Sequence, residues 1–193
     1  MDGSFFALIS RMRHITRWGL MRNSEPENIQ EHSHMVAVLA HGLAVIRRDV
    51  FGMDCDPNEY AVYALFHDAT EIITGDLPTP VKYSSLEIAN AYHRVEALAA
   101  QKLLETLPDS VQTAYAPLLH LSEEAPQYAL LKAADRLSAY IKCIEERKAG
   151  NNDFISAERG LRAMLEKSEL PEVQYFLTQF LPAFEQTLDE IAP

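Results

Sequence analysis

Leu130-Leu131-Lys132-Ala133-Ala134-Asp135-Arg136-Leu137-Ser138-Ala139-Tyr140-Ile141-Lys142-Cys143-Ile144 repeats its apolar residues with the period of an α-helix. Leu130, Leu131, Ala134, Leu137, Ile141 and Ile144 share one face of that helix and need a core to cover them. The segment is expected to run from Ser122 to Ala149, with Gly150-Asn151 as its stop. The same period recurs on either side. Phe5, Leu8, Ile9 and Met12 form an apolar stripe over positions 2–15, which Arg17-Trp18-Gly19 breaks. Asn28 with Glu31 makes a capping-box pattern, and Val36, Leu39, Leu43 and Ile46 then carry an apolar face to Arg47-Arg48. Asp56-Pro57-Asn58-Glu59 supplies an N-cap acid, a proline at the first helical position and a glutamate at the third. That helix is expected to reach Thr74, where Gly75 stops it, and Asp76-Leu77-Pro78-Thr79-Pro80 cannot be helical throughout.

Further along, Ser84 with Glu87 starts a long helix that ends before Pro108, and a shorter one containing a proline covers 109–120. Helices near 153–167 and 171–190 complete the chain, the last bent by Pro182. No segment shows sustained strict alternation with β-branched enrichment. The expected fold class is all-α, in one domain spanning 1–193 without internal repeats.

Composition narrows the function. The 193 residues, 48% of them hydrophobic, suffice for one ordinary core, and seven Gly and ten Pro without a biased tract exclude collagenous or broadly disordered chains. A formal charge of −11 lacks the basic footprint of a protein that grips long nucleic acid. A small anion can still bind where a divalent cation outweighs the mean surface charge. Cys55 and Cys143 have neither CxxC spacing nor a secreted framework and read as buried thiols in a reducing compartment. Arg11 and Arg13 precede any long apolar stretch, unlike a secretory signal, and no run approaches the ~18 apolar residues of a membrane span. A cytoplasmic protein without membrane attachment is expected.

Chemistry concentrates at His67-Asp68, two ionisable groups within the largely apolar Leu65-Phe66-His67-Asp68-Ala69-Thr70-Glu71. Neighbouring helical side chains diverge by ~100°, so both can touch one ion over the edge between them, with Glu71 on the same side. An ion held by one His and one Asp is under-coordinated, which demands further ligands. His32 at the start of the second helix and Asp135 in the apolar stripe are available. Asp135 has a plainer reading, a carboxylate paired with a neighbour such as Arg136. Arg17 reads as a solvated loop cation or as a fork of donors for phosphate, and Trp18 as a core anchor or as an apolar wall. His34 lies ~200° around the helix from His32 and serves a different face. His41 suits a core or interface position, while His14, His93 and His120 lack a partner pattern. Glu145-Glu146-Arg147-Lys148 reads as a solvated helix end.

The order His32, His67-Asp68, Asp135 resembles the HD superfamily of metal-dependent phosphohydrolases, whose ligands follow an H…HD…D pattern on separate helices. The local strings extend the match: Asn28-Ile29-Gln30-Glu31-His32-Ser33, His67-Asp68-Ala69-Thr70-Glu71, Thr74-Gly75-Asp76-Leu77-Pro78-Thr79-Pro80-Val81-Lys82-Tyr83 and Lys132-Ala133-Ala134-Asp135. With Arg17-Trp18 and Ala149-Gly150-Asn151-Asn152 they resemble the bacterial HD-domain 5′-deoxynucleotidases over essentially the whole chain. The resemblance implies a phosphomonoester hydrolase acting on deoxyribonucleoside 5′-monophosphates, and a homodimer. It implies a divalent cation, with cobalt, manganese or copper expected, held by His32, His67, Asp68 and Asp135. It also implies that Arg17 orients the phosphate, that Trp18 lies against the deoxyribose, and that Asp76, Leu77, Pro78 and Thr79 contact substrate together with His32, Asp68 and Asp135. Glu71, one turn from a ligand, suits the role of the base that takes a proton from water, and Asp76 that of a second acid or sugar-orienting group. Two other readings stand beside this one: an HD phosphohydrolase acting on a different nucleotide, and a module that senses nucleotides without turnover.

Overall fold

A computed structural model describes residues 3–191, and among them the regular structure is helical apart from one isolated antiparallel bridge between Thr16 and Asn28. Helix α1 (Phe5–Ile9) runs into a 3₁₀ segment, Ser10–His14, and a loop leads to α2 (Ile29–Asp49). Next come α3 (Pro57–Phe66), two single turns α4 (Glu71–Thr74) and α5 (Thr79–Lys82), then α6 (Leu86–Glu105) and α7 (Asp109–Leu119). After α8 (Tyr128–Lys148) a 3₁₀ turn, Asn152–Phe154, opens α9 (Ile155–Glu166). Helix α10 (Pro171–Gln179), a 3₁₀ segment, Leu181–Glu185, and α11 (Leu188–Ile191) follow.

The capping box at α2 forms: Asn28 Oδ1 accepts from the Gln30 and Glu31 backbone N–H groups, each at 3.0 Å, and Glu31 returns a bond to the Asn28 N–H. Leu43, Leu130, Leu137 and Ile144 are fully buried where α2 and α8 meet, each contributing ~1.5–3 kcal/mol of transfer free energy. Helices α3 and α10 pack on this core through Tyr60, Ala64, Val173 and Phe176. Across the chain, Arg47 of α2 donates to the Tyr60 hydroxyl at 3.2 Å and pairs with the fully buried Glu172 of α10 at 2.5 Å. A second apolar cluster joins Phe5, Ala69, Ala100, Leu103, Leu107 and Leu119. Ala64 belongs to the first cluster and Ala69 to the second, so the chain between them crosses the seam, carrying His67 and Asp68.

Five boundaries differ from the sequence reading. Helix α3 ends at Phe66 rather than near Thr74, because the N–H groups of His67, Ala69, Glu71 and Ile72 reach back three residues instead of four. Helix α8 begins at Tyr128 rather than Ser122, since Pro126 has no N–H to donate and its ring blocks a continuing helix. The cap of α6 is Ser85, whose Oγ accepts from the Ile88 N–H at 3.2 Å, whereas Ser84 donates to the Val81 carbonyl. The first helix tightens to 3₁₀ after Ile9, and its expected start at position 2 lies outside the described residues. Toward the carboxyl end, α10 stops at Gln179 and Pro182 sits in the 3₁₀ segment, so the proline ends the helix instead of bending it.

Side-chain placements also differ. Glu146 is 1% exposed, not part of a solvated helix end. Its carboxylate accepts from Lys142 Nζ at 2.5 Å, from Asn151 Nδ2 at 2.7 Å and from the Ser24 and Glu25 backbone N–H groups at 2.8 and 3.2 Å. Burial alone would raise its pKa; these donors bring it down to about 2. His41 is exposed rather than in the core. Cys143 is buried but Cys55 only partly so, and both are free thiols.

Candidate active site and metal centre

His67 follows the last residue of α3, and its Nδ1 lies 2.7 Å from the Ala64 carbonyl. A carbonyl only accepts, so Nδ1 carries the proton and Nε2 presents a lone pair. That Nε2 is buried without a hydrogen-bond partner, 3.2 Å from Asp68 Oδ2. His32, in the first turn of α2 and fully buried, places Nδ1 3.1 Å from Ser138 Oγ and Nε2 3.1 Å from Asp135 Oδ1. Its Nε2 is also 3.6 Å from Asp68 Oδ2. His32, His67 and Asp135 each offer a ligand atom within 4.8 Å of the others.

These residues fit a divalent ion. Bonds of ~2.0–2.2 Å in tetrahedral geometry set ligand atoms ~3.3–3.6 Å apart, close to the spacings of the two imidazole nitrogens from the carboxylate oxygens. An orphaned buried nitrogen facing a carboxylate is costly unless a proton or a metal lies between them. Burial disfavours a charged His67, yet Asp68 and Asp135 more than offset it and raise the imidazole pKa. The field that draws a proton to Nε2 draws a metal cation equally. Burial would likewise raise both carboxyls, but His67, His32 and Arg17 hold Asp68 well below the usual carboxylate range, and Lys132 and His32 do so for Asp135. Both are therefore ionised, as ligands must be.

Asp135 does pair with a lysine, but the partner is Lys132 Nζ at 2.9 Å, one turn earlier on α8; Arg136 points to solvent. Glu71 opens α4 with Oε2 buried and without a hydrogen-bond partner. Burial, then the Asp68 and Asp76 carboxylates, push its carboxyl up to about 10. Asp76 is raised by burial and by Asp68, while Arg17 and the nearby Trp18 backbone oppose the rise.

Arg17 is no solvated cation. Its side chain is 13% exposed, with Nε 3.0 Å from Glu27 Oε2 and Nη1 3.4 Å from Asp68 Oδ2. Trp18 is half-buried with its indole 5.1 Å from the Phe154 ring, centroid to centroid. A cleft of about 530 Å³ opens beside these candidate ligands, walled by His67, Asp68, Glu71, Lys82, Tyr83 and Lys132 among others. Arg17, Trp18 and the segment Asp76-Leu77-Pro78-Thr79 are not among its walls. Leu77 and Pro78 are partly buried, and the Pro78 and Thr79 carbonyls accept the first bonds of α5. No hydrogen bond or ion pair joins Leu77, Pro78 or Thr79 to the ligand cluster among the described residues.

Three contributors escape the sequence reading: Lys132, Ser138 and Glu27. The i, i+3 spacing of Lys132 and Asp135 was a usable signal. Ser138 and Glu27 reach their partners across the fold, where no periodicity points.

The sequence profile of the family described as 5′-deoxynucleotidase YfbR-like matches residues 4–184. A 5′-deoxynucleotidase of Erwinia tasmaniensis is 47% identical over 190 residues, covering 97% of this chain and 96% of its own length. The 5′-deoxynucleotidase YfbR of Escherichia coli O1:K1 is 46% identical over 191 residues, 97% of this chain and 95% of that protein. Among solved structures, an HD-domain phosphohydrolase from Listeria innocua superposes with a TM-score of 0.82 at 25% identity, covering 94% of this chain and 88% of that one. The cyanophage S-2L HD phosphohydrolase DatZ, bound to dA and one catalytic Zn²⁺ ion, shares the fold with a TM-score of 0.63 at 24% identity, covering 94% and 96%.

Proposed function

This chain belongs to the 5′-deoxynucleotidase YfbR-like family, and we propose that it hydrolyses deoxyribonucleoside 5′-monophosphates to deoxyribonucleosides and phosphate. The observation that carries this reading is the buried His67 Nε2, held as a bare lone pair and facing an ionised carboxylate. His32, His67, Asp68 and Asp135 would hold the divalent cation, with cobalt, manganese or copper the favoured ions. When bound, such an ion supplies Lewis acidity toward a phosphate oxygen and makes a water molecule acidic.

The remaining work falls to side chains. Glu71 takes the proton of the attacking water; burial first, then Asp68 and Asp76, raise its carboxyl, and a cation bound by Asp68 and Asp135 would counter the carboxylate part of that rise. Arg17, clamped at Nε, offers its Nη groups to phosphate oxygens. Trp18 forms the wall against the deoxyribose, leaving no room for a 2′-hydroxyl. Asp76 orients the sugar or assists as a second acid, and Leu77, Pro78 and Thr79 complete the substrate contacts. His32, Asp68 and Asp135 would also contact the substrate beside the cation they would hold.

The chain folds as one HD domain and works in the cytoplasm as a homodimer. Among the described residues no helix is long and apolar enough to cross a membrane. Exposed Ile88, Val95 and Leu98, on one side of α6, favour burial against a second copy. The deciding experiment supplies metal-stripped protein separately with Co, Mn, Mg, Zn or Cu and follows phosphate release from paired ribo- and deoxyribonucleoside 5′- and 3′-monophosphates. Release confined to 5′-deoxy substrates supports the reading; equal release from 3′ or ribo substrates contradicts it.

A further inference from the structure

The loop between the 3₁₀ segment and α2 is closed by a short ladder: the Arg17 N–H donates to the Glu27 carbonyl at 2.9 Å, and the Ile29 N–H to the Ile15 carbonyl at 3.0 Å. Glu27 therefore stands directly across from Arg17, next to Trp18. A single oxygen of its side chain, Oε2, accepts from Arg17 Nε at 3.0 Å and from Trp18 Nε1 at 2.9 Å. The Glu27 side chain is only 14% exposed, so little water competes for that oxygen.

Trp18 needs such a tether. Its φ of 59° lies in the left-handed region, which is strained for a non-glycine residue. The conformation sends its indole N–H to Glu27, while the indole ring packs at a tilt against the fully buried Phe154. Arg17 is equally constrained: with Nε on Glu27 and Nη1 on Asp68, its guanidinium plane has one orientation.

We propose that Glu27 is a positioning residue for the hydrolysis, setting through one carboxylate oxygen both the phosphate-orienting arginine and the sugar-facing tryptophan. The inference rests on the roles proposed above for Arg17 and Trp18. It adds that the two are not independent: substrate affinity and the choice of deoxyribose over ribose share one hinge. Removing Glu27 loosens both, whereas a glutamine retains an amide oxygen for the indole N–H but not the charge that holds the guanidinium.

The test compares Glu27→Ala, Glu27→Gln and Trp18→Ala, each loaded with the same metal, by steady-state kinetics on paired deoxy- and ribonucleoside 5′-monophosphates. Trp18 is the sole tryptophan, so its emission and acrylamide quenching report the tether directly without turnover. Glu27→Ala is expected to raise KM, to cut kcat/KM about 10- to 100-fold, the loss of a charged hydrogen bond, and to move the deoxy/ribo ratio toward that of Trp18→Ala. Its indole emission shifts and quenching rises, with metal content unchanged. Glu27→Gln should keep the ratio and the emission near wild type while KM rises. Wild-type emission, KM and ratio in Glu27→Ala overturn the proposal, and a wild-type KM in Glu27→Gln does so if the alanine variant does not fold. A Trp18→Ala ratio equal to wild type would instead remove the sugar wall, and with it Glu27's part in sugar choice; the emission and KM results then judge the Arg17 arm alone.

Discussion

Replacing Glu146 by alanine should destabilise the protein more than any change at its exposed surface. The carboxylate is 1% exposed and holds four donors at once: Lys142, Asn151 and the backbone N–H groups of Ser24 and Glu25. Lys142, with a side chain 6% exposed, would keep only the Glu25 carbonyl, and removing one partner of such a buried pair costs ~3–5 kcal/mol. The proton equilibrium gives a similar magnitude. Glu146 is held at about 2 in the fold against 4.5 for the free side chain, which corresponds to ~3 kcal/mol at neutral pH. Because the folded-state pKa is depressed, this contribution is fully present above pH 4.5 and is lost as the pH falls toward 2. Urea unfolding at pH 7 should show a midpoint lowered by roughly 1–2 M for an m-value of ~2–3 kcal/mol/M, and the melting temperature should fall by roughly 6–15 °C. Repeated at pH 3.5, the gap between wild type and variant should narrow. A loss below ~1 kcal/mol at pH 7, or a gap unchanged on acidification, would refute the account of this network as a charge-dependent clamp on the loop bearing Arg22 to Glu25.

Other substitutions separate binding from chemistry. Glu71→Ala should retain metal and nucleotide, measured by metal analysis and calorimetry, while kcat falls ~100-fold or more; retained turnover would remove Glu71 as the base. Asp68→Ala should lose bound metal as well as activity, and a full metal complement by elemental analysis would contradict its place among the ligands. Lys132→Met removes the ammonium 2.9 Å from Asp135, so metal affinity should tighten about tenfold in a competition titration; weaker binding would mean that Lys132 organises the site instead of competing with the ion. Leu137→Ala, at a fully buried position between α2 and α8, should cost ~2–5 kcal/mol in urea unfolding, and a loss under 1 kcal/mol would mean that the core there is loosely packed.

Legibility in the sequence follows the range of the force involved. Helices α2 and α8 could be read because their evidence is local: a capping box three residues wide and apolar residues one turn apart. His67, Asp68 and Asp135 stood out because ionisable groups among apolar helical residues are costly, and His32 followed because an ion on His67 and Asp68 alone would be under-coordinated. The end of α3 was hidden since a 3₁₀ turn keeps nearly helical backbone angles; His67 itself has φ −59° and ψ −33°. Glu146 was misread for a related reason. One charge in a run of charges looks solvated, and only the arrival of Ser24 and Glu25 from another part of the chain makes it a buried acceptor.

Glu27 and Glu146 share that blindness, and both act on the same loop. Glu146 fixes its middle through Ser24 and Glu25, while Glu27 fixes the stem that carries Arg17 and Trp18. The helices that supply His32 and Asp135 are held by core packing, and Ser138 and Lys132 on α8 then orient the two side chains. A loop has no such core, and the two side chains proposed to face substrate from it require directional bonds to hold them. The division predicts different failures: core substitutions should lower stability with the catalytic parameters intact in the folded fraction, whereas loss of Glu27 should alter KM and sugar preference before it alters the melting temperature.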